Sequence, residues 1–198
     1  MTAATMHIYV DWGGSDGTPG TASDITSATL RLKTAENITA DTNSPIPVPD
    51  TGTNYSYWRQ VYLKCTAKND MTQVDNIKFF GDSAVFTGYT GVVLYAGGQL
   101  PTKNSGANTG YEIATGTGGT TGDRMDSGAS KHSSLTTRTD TTTLTSGSPL
   151  SVTISESGSK IDASNETSNY VVLQLAVGST ASSGILSAET LTMRYDEI

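Results

Sequence analysis

The stretch WRQVYLKCTA, residues 58–67, decides the fold class. Read in steps of two, it sets Val61, Leu63, Cys65 and Ala67 on one side and Gln60, Tyr62, Lys64 and Thr66 on the other. Successive side chains of a strand point to opposite faces, so this period is that of a strand with one dry face. Downstream, Val171, Leu173, Leu175 and Val177 form the most apolar such face in the chain, and Leu191, Met193 and Tyr195 alternate with Thr190, Thr192 and Arg194. Upstream, Met6, Ile8, Val10 and Trp12 alternate with His7, Tyr9 and Asp11, while Leu30 and Leu32 alternate with Thr29, Arg31 and Lys33. Ile77 and Phe79 share a face, residues 92–96 are nearly all apolar, and Leu150, Val152 and Ile154 alternate again. Helical periodicity is missing. About eight strands of this length, divided by Gly, Pro, Asn and Asp clusters, predict an all-β chain: one antiparallel β-sandwich or jelly-roll-like domain over residues 1–198.

Composition supports this. Of 198 residues, 33 are Thr, 23 Ser and 21 Gly, whereas hydrophobic residues make up 35% and charged residues only 16%. Thr, Ser and Gly disfavour helix interiors, Thr suits strands, and Gly and Ser suit turns. With 19 acidic and 12 basic residues the formal charge is −7, the wrong sign for affinity built on phosphate neutralisation, so nucleic acid is not an expected partner. The single cysteine, Cys65, rules out an intrachain disulfide and a Cys-cluster zinc site, and two histidines, His7 and His132, leave little for His-rich metal sites. The first residues, MTAATMHIYVDW, carry no basic segment followed by an apolar run, and no apolar stretch long enough to cross a membrane occurs; neither a signal peptide nor a membrane span is expected.

Two long connections break the strand rhythm. Residues 34–57 contain SPIPVPD, whose alternating prolines read as an edge segment or a long surface crossing rather than a central strand. Residues 97–149 are poorer in apolar side chains, with ATGTGGTTGD and TRTDTTTLTSGS. A connection of that length inside a compact domain is either functional or ordered by a partner. Tyr111 to Ala114 predicts a short strand there, and two or three thin Thr-rich strands are the alternative reading.

Few residues gather into chemistry. GGSDG at 13–17 fits the G-x-S-x-G nucleophile elbow, but that motif needs a following helix and TPGTASD is not one, so a tight turn after the first strand is the competing reading for Ser15. A serine triad would also need His132, which sits in GASKHSS. Asp11, Asp16 and Asp24, with carbonyls of the intervening turn, could surround a calcium ion, although acidic residues also form turns by side-chain hydrogen bonds. Asp75, Asn76 and Asp82 make a looser set of the same kind. Tyr55, Tyr57, Trp58 and Tyr62 are the densest aromatic cluster. Their flat faces could stack on sugars; equally, Trp58 anchors the core while the tyrosines line an edge or an oligomer interface. Cys65 alternates with core positions and reads as a small buried hydrophobe. The glycines around Gly116 to Gly122 follow no strong strand and open no helix, so a phosphate cradle is unsupported. No acid–base pair, metal triad or activated nucleophile emerges, and no enzyme, catalytic residue or bound cofactor is expected.

The succession of IYVDWGGSDGTPGT, YSYWRQVYLKCTA with VDNIKFFGD, NYVVLQLAVGSTASSG and the closing AETLTMRYDE resembles the β-sandwich structural proteins of tailed-phage virions, the head decoration (cement) and tail accessory proteins. The resemblance spans most of the chain and rests on no catalytic motif. It implies a non-enzymatic virion component assembled in the host cytoplasm, most simply a capsid decoration protein that bridges neighbouring subunits. Its partners would be the major capsid protein or other virion subunits, and it would work as a homo-oligomer, commonly a trimer. On this resemblance residues 34–57 and 97–149 would be contact arms ordered by the particle. The long loop departs from a compact cement domain. Competing readings are a carbohydrate- or receptor-binding tail or fibre module carried by Tyr55, Tyr57 and Trp58, and a self-assembling extracellular fibre in which a strand completes a neighbour's sheet edge.

Overall fold

The computed structural model describes residues 2–81, 86, 88–117 and 121–198. Among them, regular structure consists of strands and two short 3-10 turns, with no α-helix. The first hairpin joins β1 (Thr5–Ser15) to β2 (Thr18–Asp24), and its register Ser15↔Thr18 leaves Asp16 and Gly17 at the turn. β3 (Thr53–Tyr55) and β4 (Arg59–Ala67) lie end to end along β11 (Val171–Gly178), which takes β6 (Val92–Gly97) on its other edge. β4 also pairs antiparallel with β1, with Val10 opposite Val61. A second, three-stranded sheet sets β5 (Val74–Gly81) between β10 (Leu150–Ser151) and β12 (Leu191–Glu197). Every pairing is antiparallel, and the two sheets pack together as an all-β sandwich.

The main core lies between the sheets. Val10, Val61, Leu63, Cys65, Leu94, Val171, Leu173, Leu175 and Val177 meet Ile77, Phe79, Val152 and Ile154, all buried. These are the positions the period-two reading assigns to the dry face of each strand. Residues 29–33 depart from that reading: Leu30 and Leu32 do pack on the core, yet the segment pairs with no strand. Its groups turn to local partners instead, Lys33 Nζ donating to Thr39 O at 3.0 Å and Thr34 N to Ser44 O at 3.0 Å.

The larger departure concerns the other face of the large sheet. Gln60, Tyr62, Tyr170, Val172 and Gln174 point away from the main core and are nevertheless buried. Residues 98–117 and 121–137, between β6 and β9 (Arg138–Asp140), fold back over them and include the thin strands β7 (Gly116–Thr117) and β8 (Thr121–Gly122). The described residues of the long connection are bonded to their own sheet. Tyr111 to Ala114 is not a strand: Tyr111 N donates to Asn108 O in a local turn, and side chains take the next two donors, Glu112 N by Gln60 Oε1 at 2.8 Å and Ile113 N by Asp16 Oδ1 at 2.9 Å. The connection at 34–57 is likewise held internally. Arg59, 1% exposed, donates to Glu36 Oε2 and to the carbonyls of Ala35, Asn37 and Trp58.

Two small clusters fill the space beneath the folded-back segment. Trp58, Ala114, Met125, Leu135 and Val172 form one, and Tyr62, Tyr111 and Tyr170 the other. Gly122 marks the closest approach, since a Cβ there would stand 2.2 Å from Ser56 O. Only glycine permits that contact.

Candidate functional site

The densest polar constellation lies in the tyrosine cluster. Asp11 projects from β1 onto the covered face and is 2% exposed. Tyr62 OH donates to its Oδ1 at 3.0 Å, Tyr170 OH donates to its Oδ2, and Lys103 Nζ stands 3.3 Å from the same Oδ2. Lys103 arrives from the folded-back segment. Its ammonium lies 4.5 Å from the Tyr62 ring centroid and 5.2 Å from that of Tyr170, and it donates to Asn108 Oδ1 at 2.6 Å. Burial pushes the Lys103 ammonium below its usual range while Asp11 opposes that shift, and burial with the Asp11 charge pushes both phenols well up. A cleft of about 310 Å³ opens above, lined in part by Lys64, Lys103, Asn104, Asn108 and Thr167. That lies at the lower end of the roughly 300–1,000 Å³ common for ligand sites. Asp11, Lys103 and the two phenols partner one another, so the network fastens residues 103–108 to the sheet.

The neighbouring side-chain amides are committed in the same way. Gln174, with no exposed surface, accepts from Met125 N at 2.9 Å and donates to Ser56 O and Asp123 O. Gln60 does the equivalent for Gly110 O and Glu112 N. His132 is fully buried, 6.0 Å ring to ring from Trp58; its Nδ1 accepts from Ser134 N at 3.2 Å, and Glu112 Oε2 stands 3.6 Å from that nitrogen. Burial pushes its imidazole down, so it is neutral at neutral pH. Ser133 Oγ donates to Glu112, not to the imidazole, so the serine–histidine hydrogen bond of a nucleophilic triad is not formed. Ser15 ends β1 in a hairpin whose next element is β2, which is the tight-turn reading of GGSDG.

The three aspartates with calcium-like spacing are not brought together. Asp11 is committed to tyrosines and a lysine, Asp16 to Ile113 N, and Asp24 to His7 and the Thr26 amide and hydroxyl. Those Thr26 bonds hold the Asp24 carboxyl down at about 2. Among the described residues no group of three or more His, Cys, Asp or Glu side chains could hold a metal ion. Of the looser set, Asp75 accepts from Gln73, Asn76 donates to Asp196, and Asp82 lies outside the described residues.

The aromatic cluster is divided as well. Trp58 is 3% exposed in the second core, with its indole N–H donating to Glu112 O at 3.1 Å, and Tyr62 belongs to the Asp11 network. Tyr57 packs against the Trp58 cluster, while Tyr55 lies under the Arg138 guanidinium at 5.5 Å. Trp58 therefore offers no open face for stacking on a sugar. Sequence reasoning missed Lys103, Asn108, Gln174 and Tyr170. For Gln174 and Tyr170 the signal available was an amide or phenol at an outward position, where a solvent-facing sheet more often carries Lys or Glu; Lys103 and Asn108 lie on the folded-back segment and gave no such signal.

No family model matches the chain, and no curated protein and no solved structure matches it either.

Proposed function

We propose that this chain is a non-enzymatic structural subunit of a virion, a capsid decoration protein that stabilises the particle by burying surface across the joints between neighbouring subunits. The observation that carries this reading is the use made of the buried polar groups. Asp11, Lys103, Gln60, Gln174 and Arg59, the residues whose types could support chemistry, are all committed to fastening connections onto the sandwich. What remains outside is a Thr-, Ser- and Gly-rich surface with a net negative charge, suited to repeated contact with an assembled lattice. The resemblance of its segment order to virion β-sandwich proteins is in line with the same reading. The partners are the major capsid protein or other virion subunits, and a homo-oligomer, most simply a trimer, supplies the multivalency that turns weak single contacts into stable attachment.

The test is the copy number of this chain in purified particles from its source, measured by quantitative mass spectrometry against the major capsid protein. One copy per capsid subunit, or one per three, is expected. A few copies per particle would move the protein to the tail or a fibre, and complete absence would overturn the virion reading. Cosedimentation of the pure chain with assembled particles, but not with free capsid subunits, is the second expected result, because a cement protein binds one assembled state.

A further inference from the structure

Lys103 and Asn108 flank the tip of a tight turn. Ala107 N donates to Asn104 O at 3.0 Å and the two residues form an isolated antiparallel bridge, with Ser105 and Gly106 between them. Lys103 and Asn108 are thus the next pair outward, facing each other across the turn on one face of it. The Lys103 amine stands 2.6 Å from Asn108 Oδ1, and the amide carbon is one bond, about 1.2 Å, beyond that oxygen. The side chains of Lys103 and Asp11 are only 8% and 1% exposed, Asp11 Oδ2 is 3.3 Å from the amine, and the Tyr62 and Tyr170 rings shield it. Tyr170 OH, 3.4 Å from Asn108 Oδ1, completes the group. Nucleophile, amide electrophile, carboxylate base and hydroxyl donor therefore converge at the floor of the cleft, where held groups react far faster than free ones.

We propose that Lys103 and Asn108 become joined by an intramolecular isopeptide bond, with Asp11 as the proton carrier and ammonia as the leaving group. The steps balance without any co-reactant. Asp11 takes a proton from the Lys103 ammonium, and the neutral amine adds to the Asn108 side-chain carbon. Charge then develops on Oδ1, where the Tyr170 hydroxyl, released when Asp11 is protonated, can donate. Asp11 passes its proton to the amide nitrogen, the carbon–nitrogen bond of the Asn108 amide breaks, and ammonia departs carrying the second proton shed by the lysine nitrogen. A secondary amide between Lys103 and Asn108 remains, closing the turn covalently. The burial that lowers the Lys103 proton affinity favours the first step. Asp11 keeps both phenol donors afterwards, so the product leaves no buried carboxyl group unpartnered.

The experiment is the intact mass of the purified full-length chain, taken under denaturing conditions, followed by tryptic mapping. The expected mass is lighter than the sequence by one ammonia. Trypsin should fail to cut after Lys103, giving one peptide over residues 79–124 that carries the loss. Lys103→Arg, which keeps the cation, and Asp11→Asn, which keeps both reactants, should each abolish it. A wild-type mass equal to the sequence overturns the proposal, as does a loss of water with the link mapped to Asp11. Ammonia loss that persists in Lys103→Arg would also overturn it, because an asparagine elsewhere must then have reacted, and persistence in Asp11→Asn would overturn the role given to Asp11. The mass is read on unfolded protein, so the wild-type result decides the matter even where a variant folds poorly.

Discussion

Replacing Gln174 by leucine tests whether side-chain amides hold the folded-back segment onto the sheet. Leucine is close to glutamine in volume, so the change opens little cavity, and what it removes is hydrogen bonding. Gln174 sits on β11 with no exposed surface. It accepts from Met125 N at 2.9 Å and donates to Ser56 O at 2.9 Å and Asp123 O at 2.6 Å. Met125 and Ser56 are themselves buried, so water cannot replace the lost partner without opening the segment. An orphaned buried N–H costs about 1–3 kcal/mol and an orphaned carbonyl somewhat less, so the three together come to roughly 3–5 kcal/mol. That is a large share of the about 5–15 kcal/mol by which a domain is stable. Urea unfolding followed by circular dichroism should show the unfolding free energy fall by that amount. Brief trypsin treatment of the native variant should cut after Arg124 and Lys131, which the wild type should protect. Ser146→Ala, on an exposed loop, is the control and should shift stability by less than about 0.5 kcal/mol. A Gln174→Leu cost under about 1 kcal/mol with no new cleavage would show that the segment is held by something other than these bonds.

Trp58→Ala removes the largest member of the second core and should cost about 3–5 kcal/mol, read from the urea midpoint; a cost near zero would mean that the cluster closes over the gap without loss. Cys65 has no exposed surface, and burial, helped by the Glu166 carboxylate, pushes its thiol up. A thiol reagent at pH 8 should therefore leave the native chain untouched and react once urea is added, whereas prompt native labelling would contradict the burial. Burial also holds His132 below its ordinary value of 6.5, so the unfolded chain takes up the proton first as the pH falls. The stability this neutral imidazole preserves is complete above that value and is lost as the pH falls through the folded one. His132→Gln should flatten the fall in stability below pH 6.5, and an unchanged slope would show that another group sets it.

What could be read from the sequence was the sandwich itself, because alternation in β1, β4, β5, β11 and β12 reports directly on one buried face. The opposite face could not be read in the same way. Gln60, Tyr62 and Gln174 look like solvent positions, and alternation does not distinguish a polar side chain facing water from one facing the backbone of a returning loop. Leu30 and Leu32 misled for a related reason: they bury their side chains on the core, but no strand lies beside them, so their period is that of extended chain without a ladder. Of the candidate site, Asp11 was visible as a carboxylate of interest, yet its partners come from positions 62, 103 and 170. Contacts between residues so far apart in the chain are set by topology, and local patterns carry no record of them.

The same topology constrains any partner. One face of the large sheet is spent on the small sheet and the other on residues 98–117 and 121–137, so recognition is left to the outer face of the small sheet, to edges and to loops. The outermost strand of the large sheet, β2, is mostly exposed and carries Pro19 and Gly20, which blunt it against open-ended strand addition. An edge of that kind argues against a fibre built by strand exchange at β2. Loops rich in Thr, Ser and Gly bury little apolar surface per contact, and a single such contact is weak once the entropy of association is subtracted. A protein with this surface gains firm attachment by engaging several identical neighbours at once, because each later contact forms at the high effective concentration set by the first. An assembled capsid presents such a repeated array, and free capsid subunits do not, which is why the decoration reading demands preference for particles over subunits.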